Sequence, residues 1–257
     1  MIKKFSLLVL VVISLLWTSS CNNKGVTIVN HVINQEVTTT NLENIKSLED
    51  ALCNATALAK QSVVGVISLN SLSILKQEKT GSGVVVAKKA NNYYIVTNYH
   101  VISNSSGNIN NLINIYLGDL DVTLNASVVT TNQKQDLAIL KVETEISLGV
   151  AVITETDLRC GQYVIAIGSP YDLKKYYNTV TIGHLSSTER TIIENDVTNS
   201  YLQHDATINV GNSGGGLFNL NGELIGINTW KIDSNKALNM NFAIPAEYIK
   251  PLLCNIQ

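Results

Sequence analysis

The sequence predicts an all-β protein of two six-stranded antiparallel β-barrels, with a short helix before the first and another after the second. Two observations carry this expectation. Runs of β-branched, aromatic and aliphatic residues recur along the chain, bounded by turn formers such as Asn91-Asn92 and Gly118-Asp119, and they fall into two sets of six. The 257 residues are 45% hydrophobic and 15% charged, enough apolar material for two small barrels with cores of their own.

The chain opens with a segment that belongs outside the fold. Lys3 and Lys4 form a positive head, Phe5 to Trp17 is apolar, and Thr18-Ser19-Ser20 are small residues before Cys21. The apolar stretch is shorter than the roughly 20 residues that a bilayer-spanning helix needs. Residues 1–20 resemble a bacterial lipoprotein signal, with Thr18 where such signals usually carry Leu. The resemblance implies lipidation of Cys21 and a membrane-anchored protein of the bacterial cell envelope, facing the periplasm or the exterior. The alternative is ordinary secretion with Cys21 free. Residues 21–43, rich in Asn, Thr and Val, read as a polar tether, and 26–33 could add an edge strand.

The folded domain is expected over 44–257. Leu48, Ala51, Leu52, Ala55 and Leu58 recur at helical spacing over 47–60, with Ser47 as cap and Glu49 and Asp50 in the first turn. Six strands follow at 62–69, 81–88, 93–97, 113–117, 126–130 and 137–142, giving a first barrel over about 61–145. After a linker at 143–148, six more at 163–167, 179–185, 201–204, 216–219, 224–229 and 240–244 give a second over about 149–245. Asn221-Gly222 marks a hairpin between the fourth and fifth strands of that barrel. Pro245 and Pro251 punctuate the closing helix.

The formal net charge is −2, with no basic run, no metal-spaced Cys/His cluster and no phosphate-binding glycine loop. No nucleic acid, metal or cofactor is therefore expected. Beyond Cys21, the cysteines Cys53, Cys160 and Cys254 are odd in number; a bridge between Cys53 and Cys254 and free buried thiols are both open readings.

Chemistry concentrates in three places. Gly211-Asn212-Ser213-Gly214-Gly215-Gly216 has the composition of a tight turn presenting one serine beside backbone N–H donors. A serine hydroxyl is a poor nucleophile until a base takes its proton and a third group orients that base. His100 follows the strand-like run 93–97, and Asp136 opens the apolar run 137–142, where a carboxylate is costly without a partner. Taken singly, Gly-Asn-Ser-Gly is most often a surface turn, His100 a strand-end histidine and Asp136 a strand cap. Their joint appearance at strand edges, in the order His, Asp, Ser, points instead to a triad in the cleft between the barrels.

The segments Thr97-Asn98-Tyr99-His100-Val101, Asp136-Leu137-Ala138-Ile139-Leu140 and Gly211-Asn212-Ser213-Gly214-Gly215 resemble those of the trypsin-like serine proteases, more narrowly the HtrA/Deg family. Gly81-Ser82-Gly83-Val84-Val85, Ala166-Ile167-Gly168-Ser169-Pro170, Thr179-Val180-Thr181-Ile182-Gly183, Gln203-His204-Asp205-Ala206, Gly226-Ile227-Asn228-Thr229 and Phe242-Ala243-Ile244-Pro245 extend the likeness in the family's order over about 45–254. The resemblance implies a chymotrypsin-like fold and a serine endopeptidase acting on unfolded or extracytoplasmic proteins. Ser213 is then the nucleophile, His100 the base, Asp136 the orienting acid, and the N–H groups of Gly211 and Ser213 the oxyanion hole. It puts the substrate pocket at Thr207, Ile208, Ile227 and Asn228, with Val210 adding apolar lining; neither Thr207 nor Asn228 carries the charge or imidazole of a basic- or glutamate-selective site. An aliphatic residue before the cut is expected. His184 and His204 read as ordinary strand residues. Asn212 replaces the Asp that digestive relatives pair with a new N-terminal amine, so activation by N-terminal processing is not expected. Because only the stretch from Ala246 to Gln257 follows Pro245, no PDZ domain is expected, and the tether lacks aromatic residues for a trimer contact, which leaves the oligomer open. The competing readings are a catalytically silent lipoprotein using the protease fold as a binding module, and a glutamyl or exfoliative-toxin-like protease.

Overall fold

The computed structural model describes residues 39–70, 77–154, 157–194, 197–231 and 238–254. The expected signal segment, Cys21 and the tether as far as residue 38 lie outside these. The tether nonetheless ends earlier than expected, because helix α1 spans Thr39–Lys60 and takes in residues 39–43 and Ser47, which is therefore interior to the helix and not its cap. Over 45–60 of α1, Ala55 and Ala59 are the buried residues, whereas Leu58 is 55% exposed. The small side chains let the helix lie close to its neighbours: a Cβ on Gly222 would touch Leu58 and the Ala55 carbonyl.

Twelve strands follow. The first six are β1 (Val63–Asn70), β2 (Gln77–Lys89), β3 (Asn92–Thr97), β4 (Leu112–Leu117), β5 (Val122–Asn132) and β6 (Leu137–Glu143). The second six are β7 (Tyr163–Gly168), β8 (Thr179–Glu194), β9 (Val197–His204), β10 (Gly216–Phe218), β11 (Leu224–Lys231) and β12 (Asn241–Pro245). Each set closes into a barrel, in the order β1-β2-β3-β6-β5-β4 and β7-β8-β9-β12-β11-β10, with every neighbouring pair antiparallel. All twelve expected strands are present. The largest difference is the β8–β9 hairpin, which runs well beyond the expected 179–185 and 201–204. Its outer part pairs Arg190 with Tyr201 through Glu194 with Val197. Exposed Thr, Glu and Arg residues there hide the strand from a search for apolar runs.

A short helix α2 (Tyr99–Ile102) interrupts the first barrel between β3 and β4. A 3-10 turn at Ala246–Ile249 runs into α3 (Lys250–Leu253), where Pro251 occupies the first turn, a position that needs no backbone N–H donor. Among the described residues no helix is long and apolar enough to cross a membrane.

Three apolar clusters form the core. One fills the first barrel with Val66, Ile95, Ile115 and Leu140, and one fills the second with Val164, Leu185, Leu202 and Leu217. The third combines both barrels, packing Val84, Val96, Leu137 and Ile139 against Ile165, Phe218, Leu224 and Ile244, with Ala55 and Ala59 of α1. Each fully buried aliphatic or aromatic side chain contributes roughly 1.5–3 kcal/mol, so this shared cluster fixes the two barrels against each other. Tyr177, from the loop between β7 and β8, adds a bond from its hydroxyl to the Val63 carbonyl at 3.2 Å and an edge contact with Tyr116. Burial pushes its phenol up to about 12. Cys53, Cys160 and Cys254 are free thiols, not bridged, but all three are exposed and not buried as that alternative expected.

Candidate active site

The loop between β5 and β6 delivers Asp136 in a left-handed conformation, φ +53°, which aspartate tolerates better than most residues. That bend turns the Asp136 backbone and side chain together onto the start of α2. The Tyr99 N–H donates to the Asp136 carbonyl at 3.1 Å, and Asn98 Nδ2 donates to the same oxygen at 3.0 Å. The His100 N–H donates to Oδ1 at 2.9 Å, while Nδ1 of the ring bonds Oδ2 at 2.8 Å. An anion at the free N–H groups opening a helical turn is electrostatically favourable. The same carboxylate thus fixes both the backbone and the ring of His100. At the other end of α2, Lys79 Nζ donates to the carbonyls of His100 and Ser103 at 3.1 and 2.6 Å.

A third donor reaches the Asp136 carboxylate from the second barrel: Thr229 Oγ1 bonds Oδ2 at 2.9 Å. The carbonyl of that same threonine accepts the Ser213 hydroxyl at 2.9 Å. Ser213 is therefore one residue away from the His100–Asp136 pair, but its hydroxyl is not bonded to His100. Its own turn is held by backbone bonds: Gly214 N–H to the Asn228 carbonyl at 2.9 Å, Asn228 N–H to Gly215 at 2.8 Å, and Asn212 N–H to Asn209 at 2.9 Å. Gly211 and Gly214 have φ of +101° and +84°, and a Cβ at 211 would collide with the Ser169 carbonyl. Among the described residues, the N–H groups of Gly211 and Ser213 donate to no protein acceptor. Asn212 is buried and its Oδ1 has no partner there; an aspartate at this position would leave a buried unpaired charge, which is far costlier than a neutral amide.

The residues expected to line the substrate pocket separate into surface and core. Thr207 is exposed, and its carbonyl accepts the Thr181 hydroxyl at 2.8 Å. Ile208 and Ile227 do not line an open pocket: Ile208 packs inside the second barrel and Ile227 in the cluster shared by both. Val210, expected as apolar lining, is 76% exposed. Asn228 is fully buried with its amide donating to the Gly216 carbonyl at 2.9 Å and its Oδ1 unpartnered. Position in the barrel decides these outcomes: both faces of β11 are covered, so alternation does not separate an outer face from an inner one. His204 is also fully buried, and burial pulls its imidazole down to about 4 against weaker opposing contributions from Ala206, Asp205 and Asn228. His184 is half-exposed, beside the Tyr163 ring and with Nδ1 3.5 Å from Asp205. Among the described residues no three His, Cys, Asp or Glu side chains gather where they could hold a metal ion.

Residues 81–227, which include strands of both barrels and His100, Asp136 and Ser213, match the family model of the trypsin-like peptidase domain. The chain belongs to that family. Within it, this trypsin-like domain is similar to HtrA-type proteins. It is 40% identical over 178 residues to "Serine protease HTRA1B" of Danio rerio, covering 68% of this chain and 34% of that protein. It is 37% identical over 199 residues to "Serine protease HTRA1" of Xenopus tropicalis, covering 75% and 40%. Among solved structures it is similar to an HtrA-type protease, AlgW, with tripeptide, at TM-score 0.68 and 29% identity over 80% of this chain and 63% of that one. The matched part of the chain spans little more than a third of the curated relatives' length. The trypsin-like domain holds two features that reading the sequence assigned no role: Thr229, in the Gly226-Ile227-Asn228-Thr229 segment, and Ser82, in the Gly81-Ser82-Gly83 segment.

Proposed function

We propose that this chain is a serine endopeptidase that hydrolyses peptide bonds of unfolded or extracytoplasmic proteins. Ser213 attacks the scissile carbonyl as His100 Nε2 takes its proton; Asp136 holds the imidazole in the tautomer with Nδ1 protonated and stabilises the imidazolium. The N–H groups of Gly211 and Ser213 receive the negative charge on the attacked oxygen. The proton on His100 then passes to the leaving amine, and water repeats the sequence on the acyl-enzyme. The observation that carries this reading is the two-point hold of Asp136 on His100, joined through Thr229 to the serine of a glycine turn. To act, the Ser213 hydroxyl must leave the Thr229 carbonyl and turn to His100.

Ser213→Ala is expected to abolish cleavage of unfolded casein with the fold intact; residual cleavage at the wild-type rate by that variant would refute the assignment. The bond from Ser213 to Thr229 favours one competing reading, a silent binding module. A fluorophosphonate probe separates them, because an activated serine labels rapidly and an inert one does not.

The reading extends to location. The lipoprotein-like segment before Cys21 supports anchoring of the domain at the cell envelope, and two or more acyl chains would make it stable. Fractionation of Cys21→Ser tests this: the protein should move from membrane to soluble fractions, and an unchanged distribution removes the anchor. For specificity, exposed and uncharged Thr207 supports a preference for an uncharged residue before the cut, to be read from the cut sites in a peptide library.

A further inference from the structure

We propose that Ser82 is a positioning residue for the oxyanion turn: from the first barrel, its hydroxyl holds the backbone of Gly211 in the orientation that presents the Gly211 N–H to substrate. The proposal rests on the serine-endopeptidase reading above.

Ser82 lies on β2 and is fully buried. Its hydroxyl donates to the Gly211 carbonyl at 2.8 Å and accepts the Ser169 N–H at 2.9 Å. Its backbone N–H donates to the Ser213 carbonyl at 2.8 Å, and its own carbonyl accepts the Thr97 hydroxyl at 2.7 Å. A hydroxyl has one proton to give, and here that proton is committed to Gly211.

Two peptide planes meet at the Gly211 Cα, and both are pinned. The plane before it is held by its carbonyl, Val210 O, which accepts the Tyr171 N–H at 2.8 Å. The plane after it is held by Ser82. In a trans peptide the N–H points opposite the carbonyl, so fixing Val210 O toward Tyr171 directs the Gly211 N–H to the other side. Turning either plane would break one of these bonds and leave a buried donor or acceptor unsatisfied. Ser82 also ties Ser169, two residues before Tyr171, to the same point, so one hydroxyl joins the two segments that set the turn. Tyr171 itself sits at φ +58°, a conformation that persists only when its surroundings enforce it.

A hydroxyl that merely welded the barrels together would have no reason to end both its bonds on these two segments. The two roles also predict different kinetics. Removing an oxyanion donor lowers turnover by about 10²–10³; loosening one without deleting it should cost less, about 10- to 100-fold.

The experiment uses the full chain as wild type, Ser213→Ala, Ser82→Ala and Ser82→Cys, with a peptide substrate and a peptide aldehyde whose tetrahedral adduct puts an oxyanion in the hole. For Ser82→Ala, kcat is expected to fall about 10- to 100-fold with KM within about twofold. The aldehyde inhibition constant should rise by the same factor, and the shape of the pH profile should not change. Ser82→Cys, nearly the same size with a weak donor, should fall between, and is the variant measured if Ser82→Ala does not fold. Wild-type kcat in the variants, or a loss confined to KM with aldehyde affinity unchanged, overturns the proposal and leaves the endopeptidase reading standing. Failure of both variants to fold also overturns it, since Ser82 would then hold the fold and not the turn. A wild type that cleaves no better than Ser213→Ala overturns the endopeptidase reading and the role of Ser82 with it.

Discussion

The two barrels have the same strand order and the same antiparallel closure, yet they contribute opposite things to the site. The first supplies side chains: His100 on a helical turn and Asp136 on a left-handed bend, joined by two bonds to each other, with Asn98 and Tyr99 adding two more to the Asp136 carbonyl. The second supplies backbone: a glycine turn in which, among the described residues, the Gly211 and Ser213 N–H groups donate to no protein acceptor, and whose conformation no side chain at position 211 would permit. Charge is easiest to orient when it grips the end of a helix, and N–H donors are easiest to present where the chain is bent so that it cannot bond itself. One topology, used twice, has been specialised along these two lines. The second barrel also seals an imidazole inside it: His204 is fully buried, and the buried Asn241 amide donates to its carbonyl at 3.3 Å.

The difference can be attacked at its strongest point first. If the first barrel acts through the orientation of one imidazole, Asp136→Asn should lower kcat by about 10⁴ with little change in fold; a loss below tenfold in steady-state kinetics would show that His100 is oriented by its backbone bonds alone. If the second barrel acts through shape, Gly211→Ala should lower kcat by about 10²–10³ although no functional group is removed. Equal activity in that variant, with circular dichroism unchanged, would mean the turn has room that its geometry denies.

The third test concerns the polar interior. His204 titrates near 4 in the folded protein against an ordinary value of 6.5. Because the unfolded chain binds the proton more readily, stability is full above pH 6.5 and falls as the pH drops toward 4, by on the order of 3 kcal/mol. Urea unfolding of Ser213→Ala, which avoids self-digestion, should show this loss, and adding His204→Leu should flatten it. A slope over this range that His204→Leu leaves unchanged would assign the acid sensitivity to the carboxylates.

Much of this architecture is legible before folding. Strand after strand could be read from short apolar runs ending in Asn, Gly or Asp, because period-two burial and turn chemistry are local properties. The outer part of the β8–β9 hairpin escaped for the same reason: two exposed strands that pair with each other leave no apolar pattern. At the candidate site, His100, Asp136 and Ser213 stand out in the sequence by their order and segments, whereas the Thr229 link between Asp136 and Ser213 does not. Ile208 and Ile227, expected from the resemblance as apolar pocket lining, both belong to cores, because barrel closure and not the local segment decides which face of a strand is covered.

The sequence by itself determined the twelve strands, the glycine turn and the identity of the residues that could carry chemistry, since each depends on a few neighbouring side chains. Only the tertiary structure decided what those residues hold. That Ser82 reaches Gly211 across 129 positions, that Thr229 touches both Asp136 and Ser213, and that His204 is sealed inside a barrel are consequences of closure and docking. Hydrogen bonds between distant backbones leave no periodic trace in the chain, because a carbonyl is the same group whatever residue bears it.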